Sequence, residues 1–106
     1  MKYKKRHFYI ENVSAERLAR QFNTPLYVYS HNKIKENINN FKKNFQTINP
    51  LICFSVKSNS NLKILSLINK FGLGADVVSK GELLRVLKAK IKPEKIVFSG
   101  VGKTID

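Results

Sequence analysis

Lys57 ends the apolar run Leu51-Ile52-Cys53-Phe54-Ser55-Val56, and the polar, turn-prone Ser58-Asn59-Ser60-Asn61 follows it. A lysine at the C-terminal tip of a buried parallel strand lies where α/β folds place their active sites. Burial there disfavours the ammonium form and exposes a nucleophilic amine, which is what a Schiff-base lysine needs. A lysine that simply reaches solvent from a strand end is the plainer reading, and position alone does not remove it. Asp76 is the second candidate. It lies near the end of the next apolar stretch, Ala75-Asp76-Val77-Val78. Its carboxylate either approaches the lysine or accepts loop hydrogen bonds, and the sequence supports both readings equally. Glu82 is acidic and close by, but Ser79-Lys80-Gly81-Glu82 has S-x-x-E spacing, so a capping box is the preferred account.

Other constellations carry less. Gly100-Val101-Gly102-Lys103-Thr104 lacks the full P-loop spacing and reads as a strand-to-helix turn. His7 and His31 have no partners at metal-ligand spacing, so no metal is expected. Cys53 is the only cysteine and lies inside an apolar strand. It reads as a small buried residue, and a single cysteine fits a reducing cytoplasm.

The elements that must position Lys57 and Asp76 follow from the pattern around them. Ser14 is the expected N-cap of a helix from Ala15 to Phe22, stopped by Asn23-Thr24-Pro25. Leu26-Tyr27-Val28-Tyr29 has strand composition. Ser30 is placed to cap a second helix with Ile34, Ile38, Phe41 and Phe45 at helical spacing. Three strand–helix units then succeed one another. Strand Leu51–Val56 precedes a helix with Leu62, Leu65, Ile68 and Phe71 on one face, closed by Gly72 in the left-handed region. Strand Ala75–Val78 precedes a helix from about Lys80 to Ala89, with Leu83, Leu84, Val86 and Leu87 inward. Strand Ile96–Phe98 comes after the loop Ile91–Lys95, and the chain stops at Asp106 where a third helix is due. Such alternation implies a parallel sheet with right-handed crossovers, and strands this apolar are expected to be covered on both faces.

The chain has 106 residues, enough for one small domain, and is 42% hydrophobic and 25% charged, a globular balance. Three strands cannot close a (β/α)8 barrel of about 250 residues, so the chain reads as the front of a larger protein. The net charge of +13 raises nucleic acid as a partner, but the 20 basic residues are dispersed over polar positions without an aromatic binding motif, zinc spacing or basic arm. No nucleic-acid partner is expected. The basic start Met1-Lys2-Tyr3-Lys4-Lys5-Arg6 is not followed by an apolar core, and no run approaches the ~18 apolar residues of a membrane helix, so neither a signal peptide nor a membrane partner is expected.

Four blocks together resemble the fold-type III pyridoxal-phosphate decarboxylases. Phe54-Ser55-Val56-Lys57-Ser58-Asn59-Ser60-Asn61 is similar to their cofactor-lysine segment. Gly72 to Leu83 is similar to the second barrel strand and its helix, and Pro93 to Thr104 to the third. Thr24-Pro25-Leu26-Tyr27-Val28-Tyr29-Ser30 is similar to the lead-in. Ser55 departs from the Ala or Pro more often found there, and Lys80 from a residue that is often small. The resemblance implies the start of a truncated TIM-type barrel over residues 31–106, with residues 1–30 packing against a C-terminal β domain beyond this chain. It implies pyridoxal 5'-phosphate as cofactor, Lys57 as the catalytic lysine that holds it, and Asp76 as a cofactor-binding residue. It further implies a cytoplasmic homodimer acting on a small amino acid. Within the family the blocks are most similar to the branch that converts meso-2,6-diaminopimelate to L-lysine and CO2. Siblings acting on ornithine, arginine or carboxynorspermidine, and a non-catalytic cofactor-binding barrel, are the alternatives.

Overall fold

The computed structural model describes residues 2–4 and 6–105 and divides into two compact units, 1–44 and 45–106.

The first unit opens with an antiparallel meander that the sequence pattern did not announce. Strands β1 (Lys2–Lys4), β2 (His7–Ile10) and β3 (Val13–Ser14) lie in that order, with Tyr3 opposite Phe8 and Ile10 opposite Val13. The Tyr3 and Phe8 rings pack with centroids 5.1 Å apart, a cross-strand aromatic pair. Ser14 then ends β3 and caps α1 (Ala15–Phe22) as expected, its hydroxyl accepting from Arg17 N at 3.2 Å. The expected strand at Leu26–Tyr29 does not form; those residues carry no regular structure, and Tyr27 is 88% exposed. Strand composition without a neighbouring ladder is insufficient, because pairing rather than propensity makes a strand. Helix α2 (His31–Asn44) starts at Ser30 and buries Ile38, while Phe41 stays half exposed and Phe45 falls beyond the helix end.

A carboxylate completes the start of α2. Glu11 occupies the first position of the two-residue β2–β3 loop with a positive φ of 56°. From there its Oε1 accepts from Ser30 Oγ at 2.7 Å and from Asn32 N at 2.8 Å, and its Oε2 accepts from Asn32 Nδ2 at 3.1 Å. Ser30 Oγ in turn accepts from Lys33 N at 3.0 Å. These bonds to the charged form hold the Glu11 carboxyl below its ordinary value, Ser30 first and Asn32 second.

The second unit is the expected parallel α/β array. Strands β4 (Cys53–Ser55), β5 (Gly74–Val77) and β6 (Ile96–Phe98) lie side by side in chain order, crossed over by α3 (Leu62–Lys70) and α4 (Lys80–Lys88). One face of the sheet carries the fully buried Ala75 and Val77, which form the core with Leu65 and Ile68 of α3, Val86 of α4 and Ile91. The opposite face carries Asp76 and Val97, and Val97 is 46% exposed, so coverage of both faces is not observed. Leu84 and Leu87, expected inside, are exposed at 57% and 42%; only Val86 of α4 is fully buried. At 3.6 residues per turn the four apolar residues spread over about 160° of the helix circumference, and the packed neighbours cover only part of that arc.

Both helices end in the same device. At α3, Gly72 has φ 75°, its N–H reaches Asn69 O at 2.8 Å, and Leu73 N reaches Ile68 O at 3.2 Å. This is a Schellman cap with the expected glycine. At α4 the equivalent residue is Lys90, with φ 63° and bonds from Lys90 N to Leu87 O and from Ile91 N to Val86 O. Asn69 Nδ2 donates to both Ala89 O and Lys90 O, joining the two helix ends.

Candidate functional site

Strand β4 is shorter than the apolar run implies. The chain leaves the ladder after Ser55, and Val56-Lys57-Ser58 forms one 3-10 turn, so Lys57 stands just past the strand rather than at its last position. Local bonds define that turn. Val56 is fully buried on one side of Lys57, Ser58 Oγ donates to Ser55 O at 2.7 Å on the other, and Asn59 N closes onto Val56 O. Asn61 then caps α3 through Lys63 N at 2.9 Å. The lysine stem therefore leaves a fixed backbone, at the C-terminal end of a parallel strand.

The amine itself is not desolvated by the described residues. Lys57 is exposed, as in the plainer reading of a strand-end lysine that reaches solvent. Having left the ladder, the residue projects from a turn above the sheet instead of from between packed elements. Among the described residues no carboxylate forms an ion pair with its Nζ.

Asp76 is the charge that faces this end of the sheet. In the parallel register it pairs directly with Ser55 of β4 and with Val97 of β6. Side chains alternate along strands, so Ser55, Asp76, Val97 and Ser99 share one face. Ser55 Oγ donates to Asp76 Oδ2 at 3.0 Å, and Ser99 Oγ donates to Asp76 Oδ1 at 2.6 Å. The two hydroxyls, Ser99 first, hold the Asp76 carboxyl below its ordinary value against a smaller opposing effect of burial, and the Lys57 ammonium adds to the lowering. The lysine's charge thus favours the ionised aspartate without an ion pair between the two. Burial and the nearby Asp76 charge push the Cys53 thiol up, which keeps it protonated and chemically quiet.

The remaining candidates resolve structurally. Glu82 N donates to the capping Ser79 Oγ at 3.2 Å, and Glu82 Oε2 accepts from Val78 N at 2.9 Å, so its carboxylate serves the start of α4. Lys103 folds back to donate to Phe98 O and Gly100 O, and its ammonium sits 5.3 Å from the Phe98 ring centre. His7 pairs with Glu16 at 2.7 Å, and among the described residues no group of three metal-ligating side chains converges. From sequence Ser55 stands out only as a departure from the family pattern, and Ser99 does not stand out at all. The available signal was their strand-end position, but only the pairing register shows that they meet one carboxylate.

Comparison with known proteins adds a separate line of evidence. Residues 31–106 match the family described as pyridoxal-dependent decarboxylase, pyridoxal binding domain. The chain is 48% identical over 104 residues to a diaminopimelate decarboxylase of Aquifex aeolicus, covering 98% of this chain and 24% of that protein. It is 54% identical over 89 residues to one of Helicobacter pylori, covering 84% of this chain and 22% of that protein. A crystal structure of diaminopimelate decarboxylase from M. jannaschii in co-complex with L-lysine superposes with a TM-score of 0.92 at 38% identity, over 97% of this chain and 25% of that one. The chain spans about a quarter of the length of the relatives it matches.

Proposed function

The chain belongs to the pyridoxal-dependent decarboxylase family, and we propose that the whole protein converts meso-2,6-diaminopimelate to L-lysine and CO2, the last step of lysine biosynthesis. The observation that carries the reading is the pair at the C-terminal end of the sheet: an exposed lysine on a turn just past β4, and on the adjacent strand a carboxylate whose ionised form the lysine's charge favours. The names of the relatives, at 48% and 54% identity, support diaminopimelate over other amino acids.

The residues present fit the cofactor. Lys57 offers an amine with no ion-pair partner among the described residues, and its stem starts from a turn fixed on both sides. In this proposal Lys57 is the catalytic residue that holds pyridoxal phosphate, and Asp76 stands beside it as a cofactor-binding residue. Bound pyridoxal phosphate supplies an electron sink for the bond pair released as a carboxylate leaves. Asp76, with both oxygens accepting hydroxyl protons, stays ionised at neutral pH and favours a protonated group opposite it. It holds no proton to donate there, so its work is electrostatic. The proposal extends to a homodimer working in the cytoplasm; light scattering of the full-length protein tests the assembly.

The test of the activity is direct. Full-length protein supplied with pyridoxal phosphate is expected to show visible absorbance from the bound cofactor and to release CO2 from meso-diaminopimelate in preference to ornithine or arginine. Lys57→Ala is expected to abolish that absorbance. An unchanged cofactor spectrum in the variant would overturn the role of Lys57, and a preference for ornithine would overturn the substrate.

A further inference from the structure

We propose that Ser55 and Ser99 are positioning residues of this site, their hydroxyls gripping the two oxygens of Asp76 so that an ionised carboxylate of fixed orientation faces the Lys57 turn. The proposal rests on the reading of Lys57 and Asp76 given above and deepens it. Three strands contribute to the grip. Ser55 closes β4, Asp76 lies in the middle strand and Ser99 follows the last residue of β6. The parallel register sets Ser55 directly beside Asp76, and Ser99 two residues beyond Val97, the β6 partner of Asp76. A carboxylate on a strand ordinarily rotates about its χ angles and exchanges water partners. Here each oxygen is fixed by its own donor, at 3.0 Å from Ser55 Oγ and 2.6 Å from Ser99 Oγ. Neither hydroxyl is recruited by a cap or a turn: Ser58, not Ser55, supplies the side chain that closes the lysine turn, and Ser79 caps α4. The backbone holds the donors in place as well, since Ser99 N bonds to Val77 O at 3.0 Å.

The groups facing Asp76 from neighbouring elements are the two hydroxyls, the Cys53 thiol on β4 and the Lys57 ammonium above β4. Of these, only the serines contact the carboxylate within hydrogen-bond distance, and they stabilise its charged form.

The test uses full-length protein carrying Ser55→Ala, Ser99→Ala, both together, and the hydroxyl-keeping Ser55→Thr and Ser99→Thr. The Asp76 carboxyl is followed by carbon-13 NMR against pH, and kcat/KM and KM are followed over the same range. Each alanine is expected to move the Asp76 titration to higher pH, Ser99→Ala further than Ser55→Ala. The acid limb of kcat/KM is expected to move upward with it, and the threonine variants to return both toward wild type. An Asp76 titration unmoved by the alanines overturns the grip. A titration that moves while the acid limb stays put overturns the positioning role. Failure of the underlying family reading is separately visible, because wild type would then take up no pyridoxal phosphate at any pH, whereas failure of the grip leaves wild-type uptake intact.

Discussion

Gly74→Ala is the substitution that most directly connects packing to the site. Gly74 is buried at the start of β5, pairs with Cys53 of β4, and lies two residues before Asp76. A Cβ added there would land on the Lys95 carbonyl oxygen and 2.9 Å from Cys53 Sγ. The first obstacle is backbone and the second a short side chain with one rotatable bond, so neither moves aside without moving its strand. Gly74 does not have a positive φ, so alanine costs nothing in backbone conformation and the whole effect is steric. Overpacking of this kind costs about 3 kcal/mol, the upper part of its usual range, because the blocking atoms are tied into the sheet. That corresponds to roughly 150-fold in the opening equilibrium of the ladder. The assay is hydrogen exchange of the Ser99 amide, which bonds to Val77 O across β5 and β6. Its exchange is expected to accelerate roughly 100-fold in the variant, with weaker retention of cofactor. Gly102→Ala is the control, since nothing lies within 4 Å of its added Cβ, and it is expected to change little. Equal exchange rates in Gly74→Ala and wild type would refute the claim that strand contact at Gly74 sets the spacing beneath Asp76.

Lys90→Gly is expected to stabilise the second unit by about 0.5–1 kcal/mol, measured by denaturant unfolding, because the Schellman position at φ 63° favours glycine and the long lysine has to adopt a strained backbone there. A loss of stability would show that unfolded-chain entropy outweighs the strain. Glu11 predicts an acid transition at the start of α2. Its carboxyl is lowered in the fold, so its contribution is full above the ordinary value of 4.5 and is lost as pH falls through the lowered folded value. Glu11→Gln is expected to remove that pH dependence from the exchange of the Asn32 and Lys33 amides, and a profile identical to wild type would contradict the assignment.

Much of the second unit was legible because its signals are local. The order strand, helix, strand, helix, strand follows from apolar runs alternating with 3.6-residue spacing, and Gly72 marks the end of α3 by its own chemistry. Lys90 plays the same part at the end of α4 and was not legible, because nothing in a lysine advertises a positive φ. The meander over Lys2–Ser14 was missed for a related reason: its strands are short and mixed, and their stability comes from pairs such as Tyr3–Phe8 that lie apart in sequence. Leu26–Tyr29 shows the converse error, with good strand residues and no ladder to join. Leu84 and Leu87 were assigned to the core on hydrophobicity alone, but burial depends on which stripe of the helix meets a neighbour.

The site divides along the same line between local and non-local information. Lys57 is identifiable from where an apolar run gives way to Ser58-Asn59-Ser60-Asn61, although the run overstates the strand and the lysine moves into a turn. What Asp76 does depends on register. Shift β4 by one residue against β5 and Ser55 moves to the opposite face, leaving Oδ2 to solvent. The buried faces of Ala75 and Val77 forbid that slip, because it would also turn the apolar residues of β4 away from the helices. The core on one side of the sheet therefore fixes the hydrogen bonds on the other. The carboxylate owes its orientation to packing it does not touch, and the test of this connection is that a core substitution such as Val77→Ala, at the neighbouring position on the opposite face, should loosen the Asp76 grip without altering any group in contact with it.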